Sequence, residues 1–309
     1  MPESGGTPLA ITNGMIPPTR VLAAVDFSET SRVALTMAAR LARQCRAELL
    51  VLHVEDPLLA AAAEARGLDI AAETRREIDA FITSAWPASE CRPRMQVITG
   101  PPVGIIMNIA ERERADVVVA GTHGASGAER LFFGSTTEGL IRRSQVPILA
   151  VPPTWTPAHP ELPDLFETGP LVVGIDFTVP SIEAAGAACR LAAAWGTSVE
   201  ALHVVRPLSA LRRWQSPAHD AVCKQAAAAR AELARVIQAL DSPVHVHLSV
   251  EIGDIAETLV NAASSDDHRR ALIVLGRRVG DKGLTEPCAI ANRVLTPARV
   301  PVLVYVTPA

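Results

Sequence analysis

The residues of this chain best suited to chemistry are glycines and hydroxyls rather than charges. An apolar run, Asp116-Val117-Val118-Val119-Ala120, leads into Gly121-Thr122-His123-Gly124, and after nine further residues Gly134-Ser135-Thr136-Thr137-Glu138 opens a helical pattern. A strand, a glycine-rich loop and a helix start, in that order, are the parts of a phosphate cradle. Glycine lacks a Cβ, so its backbone can approach phosphate oxygens closely and take up positive φ, while the first amides of the helix point at the anion. Ser135 and Thr136 add hydroxyl donors. Each charge-assisted hydrogen bond of this kind contributes roughly 1.5–3 kcal/mol, so a handful suffices to hold a nucleotide. The carboxyl end of a parallel strand is also where open α/β sheets place their ligands.

Positioning such a loop requires a parallel sheet, and the chain encodes one twice. Shifted by 150 residues against itself, Val21 to Leu58 aligns with Leu171 to Leu208 without a gap, with identities that include Asp26/Asp176, Phe27/Phe177, His53/His203 and Pro57/Pro207. Asp-Phe and His-Val pairs at one fixed offset point to a duplicated domain. Within the first copy, short apolar runs at Arg20 to Val25, Glu48 to Val54, Met95 to Ile98, Asp116 to Ala120 and Pro147 to Val151 read as strands. Between them Glu29 to Gln44, Leu58 to Ala85, Val103 to Arg114 and Ser135 to Arg143 read as helices. The second copy has strands near Leu171 to Ile175, Ser198 to Val205, Val244 to Val250, Ala271 to Leu275 and Val300 to Val306. The expected fold is α/β: two tandem Rossmann-like domains, each a five-stranded parallel sheet of order 3-2-1-4-5 with helices on both faces. The expected boundaries are a flexible tail over 1–18, a nucleotide-binding domain over 19–152, a stiff proline-rich linker over 153–168 and a second domain over 169–309.

Bulk properties narrow the function classes. The net charge is −4 over 309 residues, with no basic block, which argues against nucleic-acid and membrane-surface binding. No apolar run reaches transmembrane length. Five cysteines, Cys45, Cys91, Cys189, Cys223 and Cys288, form no C-x-x-C pair, so neither a disulfide framework nor a zinc site is suggested and a reducing cytoplasm is expected. The tail from Met1 to Arg20 has no basic segment followed by an apolar one, unlike a signal peptide.

The arrangement Gly121-x2-Gly124-x9-Gly134-Ser135, together with Val25-Asp26-Phe27-Ser28 and Leu52-His53-Val54 at the ends of the first two strands, resembles the ATP-binding subclass of the universal stress protein family. The resemblance spans almost the whole chain after residue 19, counted twice. It implies ATP, with Mg2+, as the ligand. It further implies that Asp26 contacts the adenosine moiety, that Ala24 and Val54 line the adenine slot, and that Gly121, Gly124, Gly134, Ser135 and Thr136 bind ribose and phosphates, with Ala120 in the same set. Family members often carry proline where this chain has Ala24. A nucleotide-responsive regulator of stress or growth state, acting on a protein partner and forming a homodimer of tandem chains, is the function the resemblance implies. Edge strands at Pro147 to Val151 and Pro301 to Val306 are the surfaces through which the two halves would pair.

The second copy diverges at the cradle. Aligned through Pro147/Pro301, the places of Gly134 and Ser135 fall on Cys288 and Ala289, so the C-terminal half is expected to bind ATP weakly or not at all. Its loop Gly276-Arg277-Arg278-Val279-Gly280 reads as a solvated basic loop, with anion attraction as the alternative. Asp26 can serve as a ribose ligand, a magnesium ligand or a cap for the helix near Ser31, and His123 can touch phosphate or face water. His53 and His203 read as anchors for backbone groups, and His245 and His247 as residues on an exposed strand face. A slow ATPase or nucleotidyl transferase is the competing reading. The chain lacks G-x-x-x-x-G-K-[ST], G-x-S-x-G and G-x-G-x-x-G motifs, and no lysine stands in the loop to balance charge on a leaving phosphate, which favours holding over hydrolysing.

Overall fold

The computed structural model describes residues 17–67, 70–85, 92–123, 134–156, 169–208, 215–264, 272–278 and 286–307. In the front half, strands β1 (Arg20–Val25), β2 (Glu48–Glu55), β3 (Arg94–Thr99), β4 (Val117–Gly121) and β5 (Ile148–Val151) alternate with helices α1 (Glu29–Cys45), α2 (Pro57–Glu64), α3 (Ile70–Ala85), α4 (Pro102–Arg112) and α5 (Ser135–Arg143). The rear half repeats the plan with β6 (Leu171–Gly174), α6 (Val179–Trp195), β7 (Val199–Val205), α7 (Gln215–Ala239), β8 (Val246–Ile252), α8 (Ile255–Ala263), β9 (Ile273–Arg278), α9 (Glu286–Leu295) and β10 (Val302–Thr307).

Each half has the expected order 3-2-1-4-5, but the two sheets are one. The ten strands run β3-β2-β1-β4-β5-β10-β9-β6-β7-β8, parallel within each half and antiparallel only at the central seam. There Val302 faces Ala150, Leu303 faces Leu149 and Val304 faces Ile148. The expected edge strands thus find each other within a single chain, which removes two exposed edges at once.

Strand alternation divides the core. In β1, Val21, Ala23 and Val25 point to one face, where α1, α3 and α6 pack; Leu22 points to the other, where α4, α5, α8 and α9 pack, and Ala24 lies against that second layer. On each face one apolar core runs through both halves: Leu149 and Leu303 share the first, Ile148 and Val304 the second.

Three local departures have physical causes. The single helix expected over Leu58 to Ala85 is two, because Gly67 adopts φ 68° and its amide closes a turn onto Glu64 O at 2.9 Å. The linker opens with a turn in which Trp155 N donates to Pro152 O at 3.1 Å, and Trp155 packs on the core; the greater part of the linker, 157–168, and tail residues 1–16 lie outside the described residues. Gly276, Arg277 and Arg278 are not a loop but the end of β9, in register with Tyr305, Val306 and Thr307 of β10.

Leu303 is 2% exposed at the seam, so Leu303→Ala should cost about 2–5 kcal/mol. Because the cores are shared, chemical denaturation followed by circular dichroism and by tryptophan fluorescence should show one coincident transition moved to lower denaturant; two separated transitions would mean that the halves unfold independently.

Candidate functional site

The site begins with a turn that both halves share. After β1, Phe27 is held at φ 62°, and its counterpart Phe177 at φ 64°. A bulky side chain in the left-handed region costs on the order of 1–3 kcal/mol, so the turn must be over-determined. Asp26 supplies part of this: its Oδ1 accepts from Ser28 N at 3.1 Å and from Ser28 Oγ at 2.6 Å. Ser28 in turn caps α1, its Oγ accepting from Ser31 N. Asp176 makes the same pair of bonds to Thr178, at 3.0 and 2.6 Å. The helix cap is therefore Ser28, and Asp26 organises the residue before it. The twisted turn lays Phe27 on His53, with ring centroids 4.5 Å apart, as Phe177 lies on His203. His53 Nδ1 sits 2.9 Å from Val25 O and His203 Nδ1 2.7 Å from Ile175 O, so both histidines anchor backbone. His245 and His247 are exposed and contact each other edge to face; among the described residues no group of three or more His, Cys, Asp or Glu could hold a metal.

Against this turn lies a cleft of about 190 Å³ at the carboxyl ends of β1, β2 and β4. Of the residues singled out from sequence, it brings together Ala24, Asp26, Val54, Ala120, Gly121, Gly134, Ser135 and Thr136, and His123 also lines it; Gly124 lies outside the described residues. Sequence reasoning missed Pro102 and Ile106 of α4, which form the opposite apolar wall. Their signal was the apolar face of α4, readable as core but not as lining.

The two ends of the loop are tied. Gly134 N donates to Thr122 O at 2.8 Å, and Thr137 Oγ1 donates to Gly121 O at 2.6 Å. These bonds deliver the start of α5 to the end of β4. The N-cap, Gly134, brings no side chain to cap α5, so among the described residues the amides of its first turn have no side-chain acceptor, and the positive end of its dipole faces the cleft. The glycines work differently from expectation. Gly134 has an ordinary φ of −58°, and Gly121 is not in the positive-φ region. Gly121 is required by packing, since a Cβ there would lie 2.8 Å from Thr30 Cγ2 and 3.1 Å from the Thr30 backbone.

In the rear half the equivalent space has shrunk to about 80 Å³ and become apolar. Leu275 replaces Ala120, Ile255 replaces Pro102 and Ile290 replaces Thr136 along its lining. Gly174 stands where Ala24 does, and a Cβ on it would meet Leu275 Cδ2 at 3.2 Å and Leu259 Cδ2 at 3.4 Å. The leucines thus fill the slot itself, a second closure beyond the altered loop. Helix α9 also starts early, at Glu286, which puts Cys288 inside its first turn rather than at the cap.

A ten-stranded, twofold-repeated α/β sheet with one open and one filled cleft defines a tandem Rossmann-like protein. Comparison with known proteins names the class further. The model of the universal stress protein family matches residues 18–152 and again 168–305, and the chain belongs to that family. Universal stress protein MJ0531 of Methanocaldococcus jannaschii is 27% identical over 137 residues, covering 43% of this chain and 81% of its own. Universal stress protein YxiE of Bacillus subtilis is 28% identical over 144 residues, 43% of this chain and 97% of its own; each therefore corresponds to a single half. The crystal structure of a universal stress protein from Archaeoglobus fulgidus spans the tandem, covering 93% of this chain and 97% of its own with a TM-score of 0.60 at 20% identity, a likeness of fold.

The Asp176 turn gives a pH test. Partial burial opposes ionisation of this carboxyl, but hydrogen bonds from Thr178 and Ser181 outweigh it and hold its pKa below the usual carboxylate value. A depressed pKa contributes stability that is fully present above the unfolded value near ~3.9 and lost as pH falls through the folded value. The stability gap between wild type and Asp176→Asn should be constant from about pH 5 to 7 and should close as the pH drops below about 4, by urea unfolding across that range; a gap that widens in acid would contradict the assignment.

Proposed function

We propose that the front cleft binds ATP and that the chain is a nucleotide-responsive regulator with little or no catalysis. The observation that carries this reading is the uncapped first turn of α5 delivered to the rim of an apolar slot. Adenine would lie between Ala24, Val54, Ala120 and Ile106, with Asp26 toward the ribose. The phosphates would meet the amides and hydroxyls of Ser135 and Thr136, with Gly134 and Gly121 admitting the backbone close to them. Gly124 belongs to the same proposed set. Magnesium would enter with the phosphates and keep most of its own waters, as this hard cation does. No helix among the described residues is long and apolar enough to cross a membrane, and Cys45, Cys189 and Cys223 are free thiols; a cytoplasmic setting fits both.

Holding is favoured over turnover because the described residues lining the cleft include His123 but no lysine or arginine, so none of them sets a permanent cation beside a leaving phosphate. The regulatory signal is bounded by how much better one conformation or assembly binds nucleotide than another. Pairing of whole chains into a homodimer belongs to the same reading, through surfaces other than the seam, and sedimentation of the purified protein with and without ATP checks it.

Acid extraction of freshly purified protein followed by chromatography should release an adenine nucleotide, or the protein should take one up when ATP and magnesium are added. Gly134→Asp places a carboxylate where the phosphates would lie and should weaken ATP binding about 10- to 150-fold, the scale of one lost charge-assisted hydrogen bond. Retention of wild-type affinity in that variant would place the nucleotide elsewhere.

A further inference from the structure

The penultimate residue of strand β9 has a front-half equivalent of a different kind. Arg277 is only 3% exposed, although its sequence context reads as a basic surface loop. Its burial follows from the seam. Because β5 and β10 are antiparallel, the carboxyl ends of the rear strands lie beside the amino ends of the front strands. Helix α5 starts at the carboxyl end of β4 and runs back along the sheet, so it terminates at that same place. The Arg277 guanidinium meets this terminus: Nη1 donates to Arg142 O at 3.4 Å and Nη2 donates to Ser144 O. Both carbonyls belong to the helix end, where no intrahelical amide remains to satisfy them. Ser144 is the C-cap, and its hydroxyl bonds Val146.

A buried cation at a helix C-terminus stabilises the helix through its dipole and fixes it along its axis. Helix α5 has nine residues, about 13 Å at 1.5 Å per residue, and its other end is the uncapped turn at the cleft. The arrangement is not reciprocal. With Gly121 equivalent to Gly276, the front-half counterpart of Arg277 is Thr122, whose side chain is too short to reach α9 and lies 2.9 Å from His123 Nδ1 instead.

We propose that Arg277 is a positioning residue for the phosphate subsite of the other half: the rear domain, its own cleft filled, serves as a cationic support that holds α5 in place to receive phosphate. This rests on reading the front cleft as a nucleotide site. The adenosine slot is built on β1, β2, β4 and α4 and does not depend on α5's axial position. Loss of Arg277 therefore acts on phosphate recognition and spares adenosine.

The test is calorimetric titration of the full chain with ATP and with adenosine. Arg277→Ala should weaken ATP about tenfold, within the range of a cation at a partly buried helix terminus, while adenosine changes less than about twofold. Arg277→Lys, which keeps the charge, should restore most of the loss. Equal weakening of ATP and adenosine would reveal a merely structural role and overturn the proposal, as would unchanged ATP affinity. If Arg277→Ala does not fold by circular dichroism, Arg277→Gln against Arg277→Lys makes the same comparison: ATP-selective weakening in the neutral variant alone supports it, and parity overturns it. Wild-type protein that binds neither ligand would remove the nucleotide reading itself, and this proposal with it, before any variant is compared.

Discussion

The backbone pairing of β5 with β10 is the constraint from which the rest of the molecule follows. Two five-stranded sheets would each leave an open edge formed by a short, largely apolar strand, an arrangement prone to association. Joining them converts the edges into a seam whose Leu149 and Leu303 belong to one core and whose Ile148 and Val304 belong to the other. The antiparallel sense of that pairing also sets the geometry of everything outside it. The mouths of the two clefts face opposite ends of the sheet, and the rear strands finish where the front helix α5 ends.

Within this frame the two clefts differ through a few side chains. The front one stays open because Ala24 and Ala120 are small and because Gly121 lets the strand end press against Thr30. In the rear, Leu275 and Leu259 occupy the volume beside Gly174, so what was a slot is hydrophobic packing. Gly276 tolerates nothing larger: a Cβ there would lie 2.1 Å from Pro180 O. Both glycines are thus demanded by the approach of a strand to a helix, whether or not the cleft beside them is open.

Much of this was legible in the residues. Strand periodicity and the 150-residue self-match placed all ten strands to within a few residues, and of the nine site residues that the family resemblance implied, eight line one cleft and the ninth lies outside the described residues. Two of the failures concern partners distant in sequence. Arg277 looks like surface charge because nothing in its neighbourhood announces Ser144, 133 residues away. Leu275 was readable as a cleft-filling residue, by aligning Gly276 with Gly121, but only once Ala120 is known to line a wall. Backbone strain also fell where composition does not point, on Phe27 and Phe177 rather than on Gly121 or Gly134, because the turn is dictated by Asp26 and Ser28 acting across the intervening residue. The split between α2 and α3 carried a local mark, Gly67, that helical periodicity alone overlooks.

Covalent continuity between the copies has an evolutionary corollary. In a dimer assembled from two identical chains, every substitution arrives in duplicate: an arginine at the end of one fourth strand would appear at the other as well, and a leucine that plugs one slot would plug both. A single polypeptide frees the twin positions to specialise, so that threonine can stand at 122 while arginine stands at 277. The nucleotide binding proposed for one half and the support proposed for the other could then be selected separately, which a symmetric pair of identical chains would not allow.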